Sequence, residues 1–224
     1  MYDVLIIGAG PGGIFSAYEL IRQNPQLKVG VFEAGHELNK RKCPIDGKKI
    51  KTCIGCKSCS IMSGFGGAGA FSDGKYNITN DFGGTLYEYI GKKNALELMR
   101  YVDDINMAFG GEGTKLYTTA GSHIKKMCLQ NDLHLLDASV RHLGTDINYV
   151  VLENLYAYLK EKVDFFFDTP VETVRVTEDG YELTARGQTF SCKDCVISVG
   201  RSGSKWMENI CRELQIPTKS NRVD

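Results

Sequence analysis

Residues 3–33 read DVLIIGAGPGGIFSAYELIRQNPQLKVGVFE. Asp3 to Ile7 is a short apolar run of the kind that forms a central parallel strand. The next six residues, Gly8-Ala9-Gly10-Pro11-Gly12-Gly13, match the turn G-x-G-x-x-G. Ile14, Ala17, Leu20 and Ile21 then recur at helical spacing, and Asn24-Pro25 stops the helix. Lys28 to Glu33 reads as a second strand, with its acidic end 20 residues after Gly13. The glycine motif alone is weak. Strand, turn, helix and acidic terminus in register make it a dinucleotide-binding βαβ fingerprint.

Each residue of the turn has a mechanical task. Gly8 permits the tight exit from the strand, Gly10 lets backbone approach a pyrophosphate, and Gly13 lets helix and strand pack closely. Pro11 and Gly12 complete the expected phosphate turn, where the helix N-terminus offers free N–H groups and a positive dipole. Glu33, followed by Ala34, is placed to accept hydrogen bonds from the ribose hydroxyls of an adenosine. A carboxylate there disfavours a 2′-phosphate and so disfavours NADP at this site.

The rest of the composition narrows the class. The 224 residues are 42% hydrophobic and 24% charged, which is ordinary globular usage. Lys plus Arg number 27, as do Asp plus Glu, and this balance argues against nucleic acid as a partner. No apolar run reaches the length of a membrane span, and the opening residues lack a basic leader, so a cytoplasmic protein without a membrane partner is expected. No pattern in the chain speaks to its oligomeric state.

Beyond Glu33, residues 34–84 lack clean periodicity. Residues 85–109 are expected to be helical with a break near Gly91, and residues 120–131 form a further short helix. Leu133 to Leu143 reads as a strand and Asp146 to Lys162 as a helix. The last third alternates as a β-meander, with turns at Asp179-Gly180 and Arg186-Gly187, before the apolar strand Cys195 to Val199. The expected fold is α/β: a Rossmann-like FAD/NAD(P)-binding βαβ domain with a β-meander and a helical insertion. Residues 1–84 and 163–224 form the discontinuous cofactor domain. Residues 85–162 form a mainly helical insertion that is part of a substrate lobe.

The fingerprint does not separate FAD from NAD, but other segments do. Ala17 and Leu20 extend the motif to G-x-G-x-x-G-x-x-x-A-x-x-L, a form resembling two-dinucleotide-fold flavoproteins. Thr169-Pro170-Val171, the meander, and residues 196–203 (VISVGRSG) follow in the order those proteins show. Residues 63–75 (SGFGGAGAFSDGK) hold five glycines, a density that suits backbone approaching a large planar or phosphorylated ligand.

This loop, together with residues 140–146 (VRHLGTD), resembles the bacterial family described as uncharacterised FAD-dependent dehydrogenases. That family belongs to a broad flavoprotein class with the fumarate-reductase-like and HI0933-like proteins. The resemblance implies FAD as cofactor, held at its ADP half by Gly8, Gly10, Gly13 and Glu33. It also implies Gly66, Gly67 and Ala68 near the pyrophosphate or flavin, Val171 near the adenine, and Gly200 on the flavin side. Family members are longer, so the chain resembles their N-terminal portion.

Eight cysteines are too few for a disulfide scaffold of this length. Cys53, Cys56 and Cys59 form C-x-x-C-x-x-C, with Cys43 upstream and Lys48, Lys49, Lys51 and Lys57 nearby. Three readings stay open: ligands of an iron–sulfur cluster, a tetrahedral zinc site, and free cytosolic thiols. Cys192 and Cys195 also form a C-x-x-C, but within strand sequence, and read as structural.

In a flavoenzyme the cofactor carries the hydride, while the protein orients substrate and handles protons. His142, beside Arg141, is the candidate for proton transfer or anion binding; a structural turn histidine is the alternative. The expected function is FAD-dependent oxidoreduction of a small-molecule substrate, with NAD(P)H as candidate electron donor. Two other functions stay open: a non-catalytic FAD- or nucleotide-binding module, and a flavin-dependent nucleic-acid-modifying protein.

Overall fold

A computed structural model describes residues 1–219 of the chain. In order, its elements are β1 (Tyr2–Ile7), α1 (Pro11–Gln23), β2 (Val29–Phe32), β3 (Lys75–Ile78), α2 (Leu86–Ile90), α3 (Lys92–Asn106), β4 (Leu116–Thr118), α4 (His123–Gln130), β5 (Ser139–His142), α5 (Gly144–Leu159), β6 (Asp164–Phe166), β7 (Val171–Thr177), β8 (Gly180–Ala185), β9 (Gln188–Ile197) and α6 (Ser204–Glu213). They form two units. One holds residues 1–70 and Tyr156 onward, and the other holds Phe71–Leu155.

The first unit is built on a six-stranded sheet in the order β6-β2-β1-β9-β8-β7. The strands β6, β2, β1 and β9 run parallel, whereas β9, β8 and β7 form an antiparallel meander. The apolar run at the N-terminus is explained by its position. β1 lies between β2 and β9, and Val4 to Ile7 are all buried. The helix α1 buries Gly13, Ile14, Ala17 and Ile21; of the stripe its spacing predicts, Leu20 alone stays partly exposed. A core of Leu5, Ile7, Phe32, Val174, Leu183 and Ile210 fills the meander side, with Trp206 of α6 packed against it.

The second meander turn forms where expected, at Arg186-Gly187, and the first falls one residue earlier than expected, at Glu178-Asp179, with Gly180 opening β8. Gly180 has φ +140°, and Arg186 and Gly187 both have positive φ, as a two-residue hairpin turn requires. The sequence reading split the last strand around Cys192 to Asp194, and the structure joins the pieces into one ten-residue strand, β9. The reason is pairing on both sides: Cys192 is fully buried and stands opposite both Tyr2 and Tyr181. The polar residues that masked this continuity are accounted for locally, since Lys193 pairs with Asp3 at 2.7 Å.

The second unit differs from expectation in kind and in boundary. It contains α2, α3, α4 and most of α5, but also a three-stranded antiparallel sheet in the order β3-β5-β4. It begins at Phe71, not at residue 85, because β3 pairs with β5 far along the chain. It ends at Leu155, within α5, and not at residue 162. Only Ser139–His142 of the expected strand at 133–143 is extended in a sheet. Gly91, at φ +81°, separates α2 from α3 as the sequence suggests. On the central strand, Arg141 forms a bidentate pair with Asp103 of α3, with contacts of 3.0 and 2.7 Å, and it also donates to the Thr114 carbonyl at 2.6 Å. Among the described residues no helix is long and apolar enough to cross a membrane.

Candidate nucleotide-binding site

The site is assembled at the C-terminal ends of β1, β2 and β9, where open parallel sheets bind ligands. The chain leaves β1 through Gly8, whose N–H donates to the Phe32 carbonyl at 2.7 Å. Gly8 has φ +103°, and a Cβ there would stand 2.7 Å from the Ser198 carbonyl oxygen. At Gly13 a Cβ would meet the Gly8 carbonyl oxygen at 1.9 Å and Ser198 Oγ at 2.9 Å. Both glycines are therefore demanded by the fold itself.

Gly10 is different. Its backbone (φ −76°, ψ −176°) is open to any residue, and a Cβ would find only the Gly67 Cα, at 4.0 Å. It stands immediately before α1, which begins with Pro11 and has no side-chain cap and no acidic residue in its first turn. The N–H groups at this end carry positive partial charge that no side chain offsets. Pro11 and Gly12 are exposed here.

The glycine-rich loop closes against this turn. The Gly66 N–H donates to the Ala9 carbonyl at 2.8 Å, and Gly67, at φ +59°, lies so close that a Cβ on it would be 3.1 Å from the Gly10 Cα. Ala68 follows as an exposed residue. The two glycine segments, more than fifty residues apart in sequence, thus meet backbone to backbone.

Glu33 locks the arrangement. Its carboxylate is buried and accepts three backbone hydrogen bonds: Ala9 N–H to Oε2 at 2.8 Å, and Gly35 and Gly64 N–H to Oε1 at 2.8 and 2.9 Å. A carboxylate has about four acceptor positions, so one remains, on Oε2. The ribose-binding role expected of Glu33 is thus joined by a structural one that spacing did not reveal. Arg41 supplies the counterpart. Its buried guanidinium donates to the carbonyls of Ser60 at 2.9 Å, Ile61 at 2.9 Å and Phe65 at 2.6 Å, holding the segment that leads into the loop.

Ser198 was not singled out from sequence. It follows β9, its N–H donates to the Ile7 carbonyl at 2.8 Å, and its hydroxyl reaches the Gly8 carbonyl at 3.1 Å. Its only sequence signal was its place two residues before Gly200. Gly200 itself is exposed beyond β9, and a Cβ there would meet nothing within 4 Å. Ala34 is exposed next to Glu33. Val171 starts β7, two residues past Thr169, whose N–H donates to the Glu33 carbonyl at 2.9 Å. The Val171 side chain is in the core, which leaves only its main chain for a ligand.

His142 lies in the second unit, where its Nε2 is 3.0 Å from Asp73 Oδ1. Lys75, and then His142, hold the Asp73 carboxyl down to about 2. Adjacent strand residues point to opposite faces, and Arg141 is committed to Asp103, so Arg141 and His142 do not form a joint anion site. The metal reading of Cys43, Cys53, Cys56 and Cys59 finds no support in the structure. Among the described residues no three His, Cys, Asp or Glu side chains are grouped to hold a metal ion. Cys43, Cys53 and Cys56 are exposed on a segment with no helix or strand to converge their thiols. Cys192 and Cys195 lie in β9, where burial raises both thiols, Cys195 to about 12. That agrees with their structural reading.

Solved structures with a similar fold include the glycine oxidase of Geobacillus kaustophilus, with a TM-score of 0.53 and 16% identity over 96% of this chain and 59% of that one. The glycine oxidase of Bacillus cereus ATCC 14579 gives 0.50 and 13% over 95% and 59%. NikD, an amino acid oxidase essential for nikkomycin biosynthesis, gives 0.50 and 12% over 95% and 54%. The chain spans between half and three-fifths of the length of these proteins. No protein-family model matches the chain, and no curated protein matches it in sequence. At this level of identity the likeness is one of fold.

Proposed function

We propose that this chain is the cofactor-binding part of an FAD-dependent oxidoreductase, dehydrogenase-like, that acts on a small organic substrate. One observation carries the reading most directly. Neither backbone conformation nor packing requires glycine at Gly10, yet glycine stands there, at the uncapped start of α1 and facing Gly67. A ligand that must approach the main chain closely accounts for it. FAD fits this cradle: the pyrophosphate would take the α1 N-terminus with Gly10, Pro11, Gly12 and Gly13, and the ribose would take the remaining acceptor position of Glu33 beside Ala34. The adenine would then meet the main chain at Val171, with Gly66, Gly67, Ala68 and Gly200 toward the flavin.

Bound FAD would supply two-electron chemistry. The chain's own part is to orient the cofactor through the Glu33 and Arg41 clamps and to exclude water from the joined loops. His142, oriented by Asp73, is the proposed group for proton transfer at its Nδ1. The resemblance of residues 63–75 and 140–146 supports the narrower assignment to the bacterial FAD-dependent dehydrogenase family, and a reduced nicotinamide is the proposed electron donor.

A second reading is a flavin-binding module without turnover: the glycine cradle and Glu33 account for cofactor binding alone. One experiment separates the readings. The protein is purified without oxygen and its absorption recorded before and after addition of FAD. Protein-bound flavin bands near roughly 375 and 450 nm are expected. Bleaching on addition of NADH or NADPH supports the oxidoreductase, and bound flavin that no donor bleaches supports the module. No bound flavin at excess FAD refutes both.

A further inference from the structure

The cysteine segment next to the glycine loop is not used by the function proposed above. Its chemistry is open because the thiols are free and not grouped for a metal ion among the described residues. Between Cys56 and Cys59 the chain bends twice, at Lys57 and at Ser58. Ile54 and Gly55, between Cys53 and Cys56, form no such bend. Two successive bends shorten the path between their ends, and a disulfide needs Cα atoms roughly 4.4–6.8 Å apart. The chain thus changes direction between Cys56 and Cys59, as it does not at Ile54 and Gly55.

The two members of the pair have complementary surroundings. Cys56 is exposed, as an attacking thiol must be to meet a dissolved reagent. Cys59 is half-buried and held: its carbonyl accepts the N–H groups of Met62 and Ser63 at 3.0 and 2.8 Å, and Arg41 fixes the Ser60 and Ile61 carbonyls beyond it. Between them the Ser58 hydroxyl is buried with no hydrogen-bond partner, a free donor beside the two sulfurs in sequence. Lys48, Lys49, Lys51 and Lys57 are all exposed along the segment, a positive field that attracts an anionic reagent.

We infer that Cys56 and Cys59 form a thiol–disulfide exchange site for small anionic disulfides. Cys56 attacks one sulfur of the disulfide R–S–S–R, forms a mixed disulfide and expels one thiol R–SH. Cys59 then attacks Cys56 Sγ, closes the Cys56–Cys59 disulfide and expels the second R–SH. Two protein thiols are oxidised, one external disulfide is reduced to two thiols, and the two protons pass from the cysteines to the leaving groups. The site stands independently of the flavin reading and is fixed to the same loop that Glu33 and Arg41 hold.

The test uses the full chain, reduced, freed of reductant and incubated without oxygen with glutathione disulfide. N-ethylmaleimide stops the reaction, and tryptic peptides are mapped by mass spectrometry. Cleavage at Lys57 puts the two cysteines on different peptides, so their disulfide is seen as a linked pair. The expected result is one Cys56–Cys59 bond with the loss of two of the eight thiols alkylatable once the protein is denatured. In Cys59→Ser the reaction should stall as a glutathione adduct on Cys56. Adducts scattered over Cys43, Cys53 and Cys56 without an internal bond would overturn the assignment, as would a Cys53–Cys56 bond. Protection of all four thiols by a metal released with a chelator would overturn it too. The wild-type map decides by itself if the serine variant does not fold.

Discussion

Two glycine-to-alanine substitutions three residues apart should have opposite consequences. In Gly13→Ala the new methyl would lie 1.9 Å from the Gly8 carbonyl oxygen and 2.9 Å from Ser198 Oγ, so α1 must move away from β1. Overpacking of this kind costs about 1–3 kcal/mol, and more where backbone must shift, against about 1 kcal/mol gained from alanine's helix propensity. A net loss of about 2 kcal/mol is expected, a fall in Tm of roughly 4–8 °C at this size. In Gly10→Ala the nearest atom is 4.0 Å away, so the fold should not register the methyl. The weaker helix cap and the lower unfolded-state entropy each amount to about 0.5–1 kcal/mol and oppose one another. The methyl does occupy the path by which a pyrophosphate reaches the main chain, and FAD affinity should fall at least about tenfold, or about 1.4 kcal/mol. Urea unfolding followed by the fluorescence of Trp206, the single tryptophan, which packs on the first unit's core, reads the first effect. Equilibrium titration with FAD reads the second. A Gly13→Ala protein as stable as wild type would refute the close helix–strand contact. A Gly10→Ala protein with unchanged FAD affinity would refute the claim that a ligand keeps this glycine.

Three further outcomes are expected. Glu33→Gln replaces one acceptor oxygen by an amide that faces backbone N–H groups, and should cost about 1–3 kcal/mol in urea unfolding even without FAD; no loss would mean that the three backbone bonds do not hold the loops. Asp103→Ala leaves the Arg141 guanidinium, only 13% exposed, without its carboxylate, and should cost about 3–5 kcal/mol by circular dichroism; a neutral result would refute the buried pair. For Asp73, the folded-state value near 2 lies below the ordinary 3.8, so whatever stability it contributes is present above pH 3.8 and is lost as the pH falls toward 2. A carboxyl NMR titration should show that low midpoint, and His142→Ala should raise it less than Lys75→Ala does, since Lys75 is the larger cause.

Local signals in the chain were enough for the βαβ unit and the meander. The apolar run at β1, the helical stripe of α1 and the two meander turns are decided by neighbours a few residues apart. Spacing therefore encodes them, and the fingerprint placed Gly8, Gly10 and Gly13 before any partner was known. The same signals could not say which of the three glycines the fold needs and which it leaves free, because that depends on Ser198, 190 residues from Gly8. Only tertiary structure revealed that Glu33 binds the two glycine loops together and that Arg41 anchors the second. It also carried β9 unbroken through Lys193 and Asp194, and added a sheet to the expected helical insertion. Among the described residues it did not group the cysteines at 43–59 as the ligands of one metal ion. In each case the deciding contact joins backbone groups or side chains distant along the chain, and such partners are chosen by burial and hydrogen-bond satisfaction in three dimensions, which no short-range pattern records.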